Sequence, residues 1–232
     1  MGVRRTTALA YWRVSRWKLV TERVPRDGVG IILGAPHTSA WDFALMLGIA
    51  WEQQLTFRWL GKHTLFGGVA GPLMRALGGI PVDRRNPAGL VDDLVARARS
   101  GERFYLVVTP EGTRHGSGWK SGFYRIARST GWSVTLGYVD RTTRTAGLGP
   151  TVELTGDPRA DMDVIRAFYA DKSGFHPELR TEPRLAAETT PDPTATDEPA
   201  PDPTATDEPA PDPTATDEPA PDPTATVEPA SE

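Results

Sequence analysis

Between residues 28 and 171 the chain alternates short apolar runs with stretches of helical periodicity. The run at 30–34, G-I-I-L-G, is apolar at successive positions, which suits a strand covered on both faces, and 41–54 comes after it as a helix. The succession then recurs: strand-like 56–60 before helix-like 66–77, 80–82 before 89–99, and 104–109 before 123–130. Strand-like 134–139 and 151–154 come next, and a helix over 161–171, with Asp161 as its cap, closes the pattern before an irregular stretch to about 184. This predicts an α/β fold, a single domain with a mixed, largely parallel sheet flanked by helices.

The two ends have other patterns. Residues 8–20, A-L-A-Y-W-R-V-S-R-W-K-L-V, set aromatic and aliphatic side chains among Arg13, Arg16 and Lys18. Such a segment suits an interfacial helix on an anionic bilayer, where apolar burial and basic flanks act together, and equally a first helix packing its apolar side chains on the domain. At the other end the unit P-D-P-T-A-T-D-E-P-A begins at 191, 201 and 211, and once more at 221 with Val227 replacing an acid. These repeats hold no aromatic residue and one aliphatic residue larger than alanine, too little apolar surface to offset the entropy of ordering. The expected organisation is an amphipathic N-terminal region over 1–27, a domain over 28–186, and a disordered, acidic, proline-rich tail over 187–232.

Charge sharpens that division. The formal charge of −4 averages a tail with 13 acidic and no basic residues and a body, 1–186, with 26 basic against 17 acidic ones, a net of +9. A basic body suits anionic partners such as phosphate or lipid headgroups. The absence of cysteine excludes disulfides, thiolate metal sites and a thioester on the protein, so any nucleophile is oxygen or nitrogen. The longest apolar runs fall well short of the ~20 residues that span a bilayer, and residues 1–24 lack the features of a secretory signal. The expected location is cytoplasmic, with the inner face of the cell membrane within reach.

Three blocks carry candidate chemistry. The first, H-T-S-A-W-D at 37–42, lies just past the end of the first buried strand, where open α/β sheets place their sites. On a regular helix His37 and Asp42 would point about 140° apart; they meet if His37 lies on the preceding turn and Asp42 in the first helical turn. An aspartate bonded to one imidazole nitrogen leaves the other to take a proton, which makes a general base; the alternative is a helix cap beside a surface histidine. The second block, T-P-E-G-T-R at 109–114, again comes after a strand, and its Gly112, Thr113 and Arg114 offer close backbone approach, a hydroxyl and a guanidinium suited to phosphate. The third, G-I-P-V-D-R at 79–84, ends a strand with an acid and Arg84, and Arg85 and Lys120 add basic groups. Taken alone, it reads as a surface turn with an ion pair.

In order and spacing the three blocks resemble the motifs of the glycerolipid acyltransferase family typified by 1-acylglycerol-3-phosphate acyltransferase, in a short peripheral form. The resemblance covers about residues 28–170, with K-S-G-F-Y-R-I-A at 120–127 and L-G-Y-V-D at 136–140 resembling the later regions of that family. The chain departs from it at Pro81, Thr109 and His115, changes that bear on pocket shape more than on catalytic groups. The resemblance implies a glycerolphosphate-acyltransferase-like fold and transfer of a fatty acyl group from acyl-CoA or acyl carrier protein to a hydroxyl of a phosphate-bearing lipid precursor, lysophosphatidate-like, in phospholipid biosynthesis. It makes His37 the base, Asp42 its orienting partner, and Arg84, Glu111, Gly112, Thr113, Arg114 and Lys120 the phosphate site. No cofactor, metal or nucleic acid is implied; the expected partners are the donor, the lipid acceptor and a membrane surface. Two rival readings are hydrolysis at a metal held by His37, Asp42, His63 and His115, and a catalytically silent headgroup-binding module. The four histidines show no paired ligand spacing.

Overall fold

The computed structural model describes residues 2–22, 28–82, 87–112 and 118–188. The sequence readings for Arg84, Arg85, Thr113, Arg114, His115 and the repeats from 191 lie outside the described residues. Within them the chain runs α1 (Val3–Val14), β1 (Lys18–Leu19), β2 (Gly30–Ala35), α2 (Trp41–Glu52), β3 (Phe57–Lys62), two short 3-10 turns, α3 (Gly71–Ala76), β4 (Gly79–Val82), α4 (Pro87–Arg99), β5 (Tyr105–Val108), α5 (Gly122–Thr130), β6 (Val134–Asp140), β7 (Thr145–Val152) and α6 (Pro158–Tyr169).

One sheet of seven strands organises these elements, in the order β1-β7-β6-β2-β5-β3-β4. All its pairings are parallel except the β6–β7 hairpin. Because side chains alternate along a strand, each apolar run feeds two cores. Ile31 and Leu33 of β2 join Leu94, Phe123, Ile126, Met162 and Ile165 on one side of the sheet. Ile32 joins Leu45, Ile49, Trp59 and Val107 on the other. Burial on both faces explains why these strands read as continuous apolar runs.

Several sequence expectations change. The segment 8–20 is not one helix: α1 stops at Val14, Arg16 takes a left-handed backbone at φ 59°, and Lys18–Leu19 becomes an edge strand on β7. Ala8 of α1 is buried, and the rings of Tyr11 and Trp12 lie against Gly48 of α2. The last strand begins at Thr145, six residues earlier than expected, because a turn at 141–144 folds it straight back on β6. The cap of α6 is Asp157, whose carboxylate accepts the N–H groups of Arg159 and Ala160. Asp161 is instead buried, accepting from the Tyr124 hydroxyl (2.7 Å) and from Thr155 and Gly156. Burial pushes its carboxyl up, but these hydrogen bonds outweigh that and hold it below the ordinary aspartate range. The chain also stays packed past 186, since Glu188 is buried and paired with Arg166.

Candidate active site

The first motif occupies the carboxyl end of β2 at the middle of the sheet, in the turn 36–40 that leads into α2. His37 sits on that turn and Asp42 in the first turn of α2, and the two meet with Nδ1 of His37 3.1 Å from Oδ2 of Asp42. The same Oδ2 accepts the backbone N–H groups of Thr38 and Ser39, each at 2.9 Å. One carboxylate oxygen thus fixes the turn and the imidazole together. When Nδ1–H donates to Asp42, the lone pair resides on Nε2, which is the arrangement of a general base.

Glu111 stands behind this turn. It is buried, and its Oε1 accepts the backbone N–H of His37 at 3.1 Å across 74 residues of sequence. Burial, the largest influence, raises its carboxyl above the ordinary glutamate range; bonds from its own and the His37 backbone pull the other way. The carboxylate thus bonds directly to the peptide that carries the imidazole, a contact by which it positions His37. Gly112 comes next with φ at +68°, and a Cβ there would come within 3.1 Å of the Lys120 side chain. Lys120 thereby crosses Gly112, anchored by its own N–H on the Pro110 carbonyl at 2.9 Å.

His37, Asp42, Gly112 and Lys120 share the lining of a cavity of about 1040 Å³. Its body is apolar, bounded by Phe43, Met46, Ile49, Trp59 and Met74. Small-ligand sites join such an apolar volume to a few placed polar groups. A volume of this size and apolar lining has room for an aliphatic chain. Among the described residues no group of three His, Cys, Asp or Glu side chains is arranged to hold a metal.

Sequence reasoning missed the support for the motif from the far end of the chain. The Thr38 hydroxyl accepts the backbone N–H groups of Phe175 (2.9 Å) and His176 (3.1 Å). Gly174 lets that segment approach: its φ is +66°, and a Cβ there would lie 2.8 Å from Thr38 Oγ1. An isolated glycine in an irregular stretch was the one local signal.

Comparison with known proteins gives the family and a likeness of fold. The sequence profile of the family described as Acyltransferase matches residues 18–139. The 1-acyl-sn-glycerol-3-phosphate acyltransferase of Streptococcus pneumoniae is 29% identical over 109 residues, 47% of this chain and 40% of that protein. The chain therefore aligns with less than half the length of that relative. The crystal structure of the 1-acyl-sn-glycerophosphate (LPA) acyltransferase PlsC from Thermotoga maritima superposes with a TM-score of 0.52 at 17% identity, covering 71% of this chain and 74% of that one, a likeness of fold. Because the profile spans more than half of the 232 residues and takes in both His37–Asp42 and Glu111–Gly112, the chain belongs to the acyltransferase family.

Proposed function

We propose that this protein transfers a fatty acyl group from a thioester donor to a free hydroxyl of a lysophosphatidate-like lipid in phospholipid biosynthesis. The observation that carries this reading is the His37–Asp42 contact of 3.1 Å on the wall of a large, mostly apolar cavity. Nε2 of His37 takes the acceptor's hydroxyl proton as that oxygen attacks the thioester carbonyl. The carbon–sulfur bond then breaks, and the departing thiolate recovers the proton from His37. No acyl-enzyme forms. Asp42 holds the imidazole and supports its positive charge, and Glu111 holds the His37 peptide. Lys120, which crosses Gly112, receives the acceptor's phosphate, with Arg84, Thr113 and Arg114 by family resemblance. The cavity takes the acyl chain.

The basic body and the aromatic-basic start of the chain support a membrane surface as a further partner. The test of the reaction is release of free thiol from an acyl thioester, measured against a panel containing lysophosphatidate, glycerol 3-phosphate and a non-phosphorylated lysolipid. Release confined to the phosphorylated acceptors, and greatest with lysophosphatidate, supports the reading. Release that ignores the acceptor, as in plain hydrolysis, contradicts it.

A further inference from the structure

On the other side of the His37 turn lies a second, smaller cavity of about 430 Å³. It gathers Arg16 from the α1–β1 turn, Arg141 and Arg144 from the β6–β7 turn, and the rings of Trp17, Trp41 and Phe175. No carboxylate lines it among the described residues. The three arginines are exposed, and the fourth basic residue of the lining, His176, has its Nδ1 3.3 Å from Glu178; guanidinium forks suit phosphate oxygens best.

The backbone is strained at the same place. Arg16 and Arg144 both occupy the left-handed region, at φ 59° and 53°, where glycine or asparagine would be less strained. Strain of this kind is retained where the surroundings fix it and clusters at ligand clamps. Arg141 is held in place by its Nη1 donating to the Phe175 carbonyl at 3.1 Å, and the β6–β7 turn is braced by Asp140, which accepts from Thr142 and Ser173. Arg141 and the backbone of the β6–β7 turn are therefore held in place. On the other side Trp17 lies against Phe175 with ring centroids 5.0 Å apart, and Trp41 presents an exposed indole.

Flat aromatic faces beside guanidinium groups match a ligand with both a planar ring and phosphates. The position narrows the identity further. Ser39 and Trp41 line this pocket while belonging to the turn that carries His37 and Asp42. The Cα atoms of His37 and Trp41 are four residues apart and so within about 14 Å of each other. That is within reach of the flexible arm joining the sulfur of a coenzyme A thioester to its nucleotide end. Resting on the acyl-transfer reading above, we infer that this pocket binds the phosphorylated adenosine of a coenzyme A donor, with Arg16, Arg141 and Arg144 on its phosphates and Trp17 or Trp41 on its base.

Arg16→Gly and Arg144→Gly test this, because glycine relieves the strained backbone and leaves the fold intact, which a melting curve verifies. Adenosine 3′,5′-bisphosphate titrated into the full-length protein by calorimetry should bind, and each variant should weaken it about tenfold or more. In turnover, the preference for acyl-CoA over acyl-pantetheine, read as a ratio of kcat/KM, should fall by a similar factor. Binding that the variants weaken would support the pocket even if no acyl transfer were found. Acyl transfer with no preference for acyl-CoA would overturn it while leaving the His37 reading standing. Failure of the bisphosphate to bind, combined with loss of anionic-vesicle binding in the variants, would overturn it in favour of a lipid headgroup.

Discussion

At the scale of single residues, the site is a set of positioned polar atoms around one imidazole. Asp42 is legible from spacing because a turn leading into a helix is the way a histidine and an aspartate five apart can meet. Glu111 is not: its contact with the His37 backbone spans 74 residues, and nothing local says that a glutamate between proline and glycine will be buried. Its buried carboxyl leads to a pH prediction. A glutamate whose folded-state pKa is raised binds its proton more tightly in the fold. Its stabilising contribution is fully present below the ordinary value of about 4.3 and is lost as pH rises through the raised value. Glu111→Gln keeps an oxygen for the His37 N–H and removes the titration. Across that window the variant should gain stability relative to the wild type, by about 1.4 kcal/mol for each unit of displacement. Urea melts of both proteins at a series of pH values measure this, and parallel stability curves would mean the carboxyl is not perturbed.

At the scale of elements, the sequence discloses whatever periodicity or a buried run encodes: β2, β3, β5 and β6, the helices between them, and the motifs at strand ends. What it conceals depends on distant partners. β1 is two residues long and exists because it pairs with β7, some 127 positions later. Asp161 reads as a cap because it precedes an apolar period, yet Asp157 before Pro158 has the right backbone, and a tyrosine on α5 claims Asp161. The β1–β7 contact makes its own prediction. A Cβ on Gly147 would fall 1.7 Å from the Val20 carbonyl oxygen, backbone that cannot simply rotate away. Gly147→Ala should cost about 1–3 kcal/mol, the usual range for overpacking, and should loosen the Arg16–Trp17 turn with it. Denaturant unfolding gives the cost, and a variant as stable as the wild type would show that β1 is not docked where the structure places it.

At the scale of the whole molecule, the division of charge makes a prediction about binding to an anionic bilayer. Anionic lipid attracts nearby basic side chains by about 1 kcal/mol each, within a screening length that shrinks with salt. Residues 189–232 carry 12 acidic and no basic side chains, charge that the same anionic surface repels. A truncation should end after Glu188, which belongs to the folded body through Arg166. Removing 189–232 should strengthen co-sedimentation with anionic vesicles at low salt, the difference fading as salt rises; identical curves at every salt would leave the tail a passive spacer. Among the described residues no helix is long and apolar enough to cross a membrane. The central claim, that His37 is the base of an acyl transfer, is tested most directly by the turnover of His37→Ala with an acyl thioester and lysophosphatidate. The partly exposed imidazole supports no core, so the variant should melt like the wild type while its rate falls by about 10²–10⁴-fold, the usual worth of a general base. A His37→Ala protein that keeps more than about a tenth of the wild-type rate, far above what loss of a general base allows, would contradict the account.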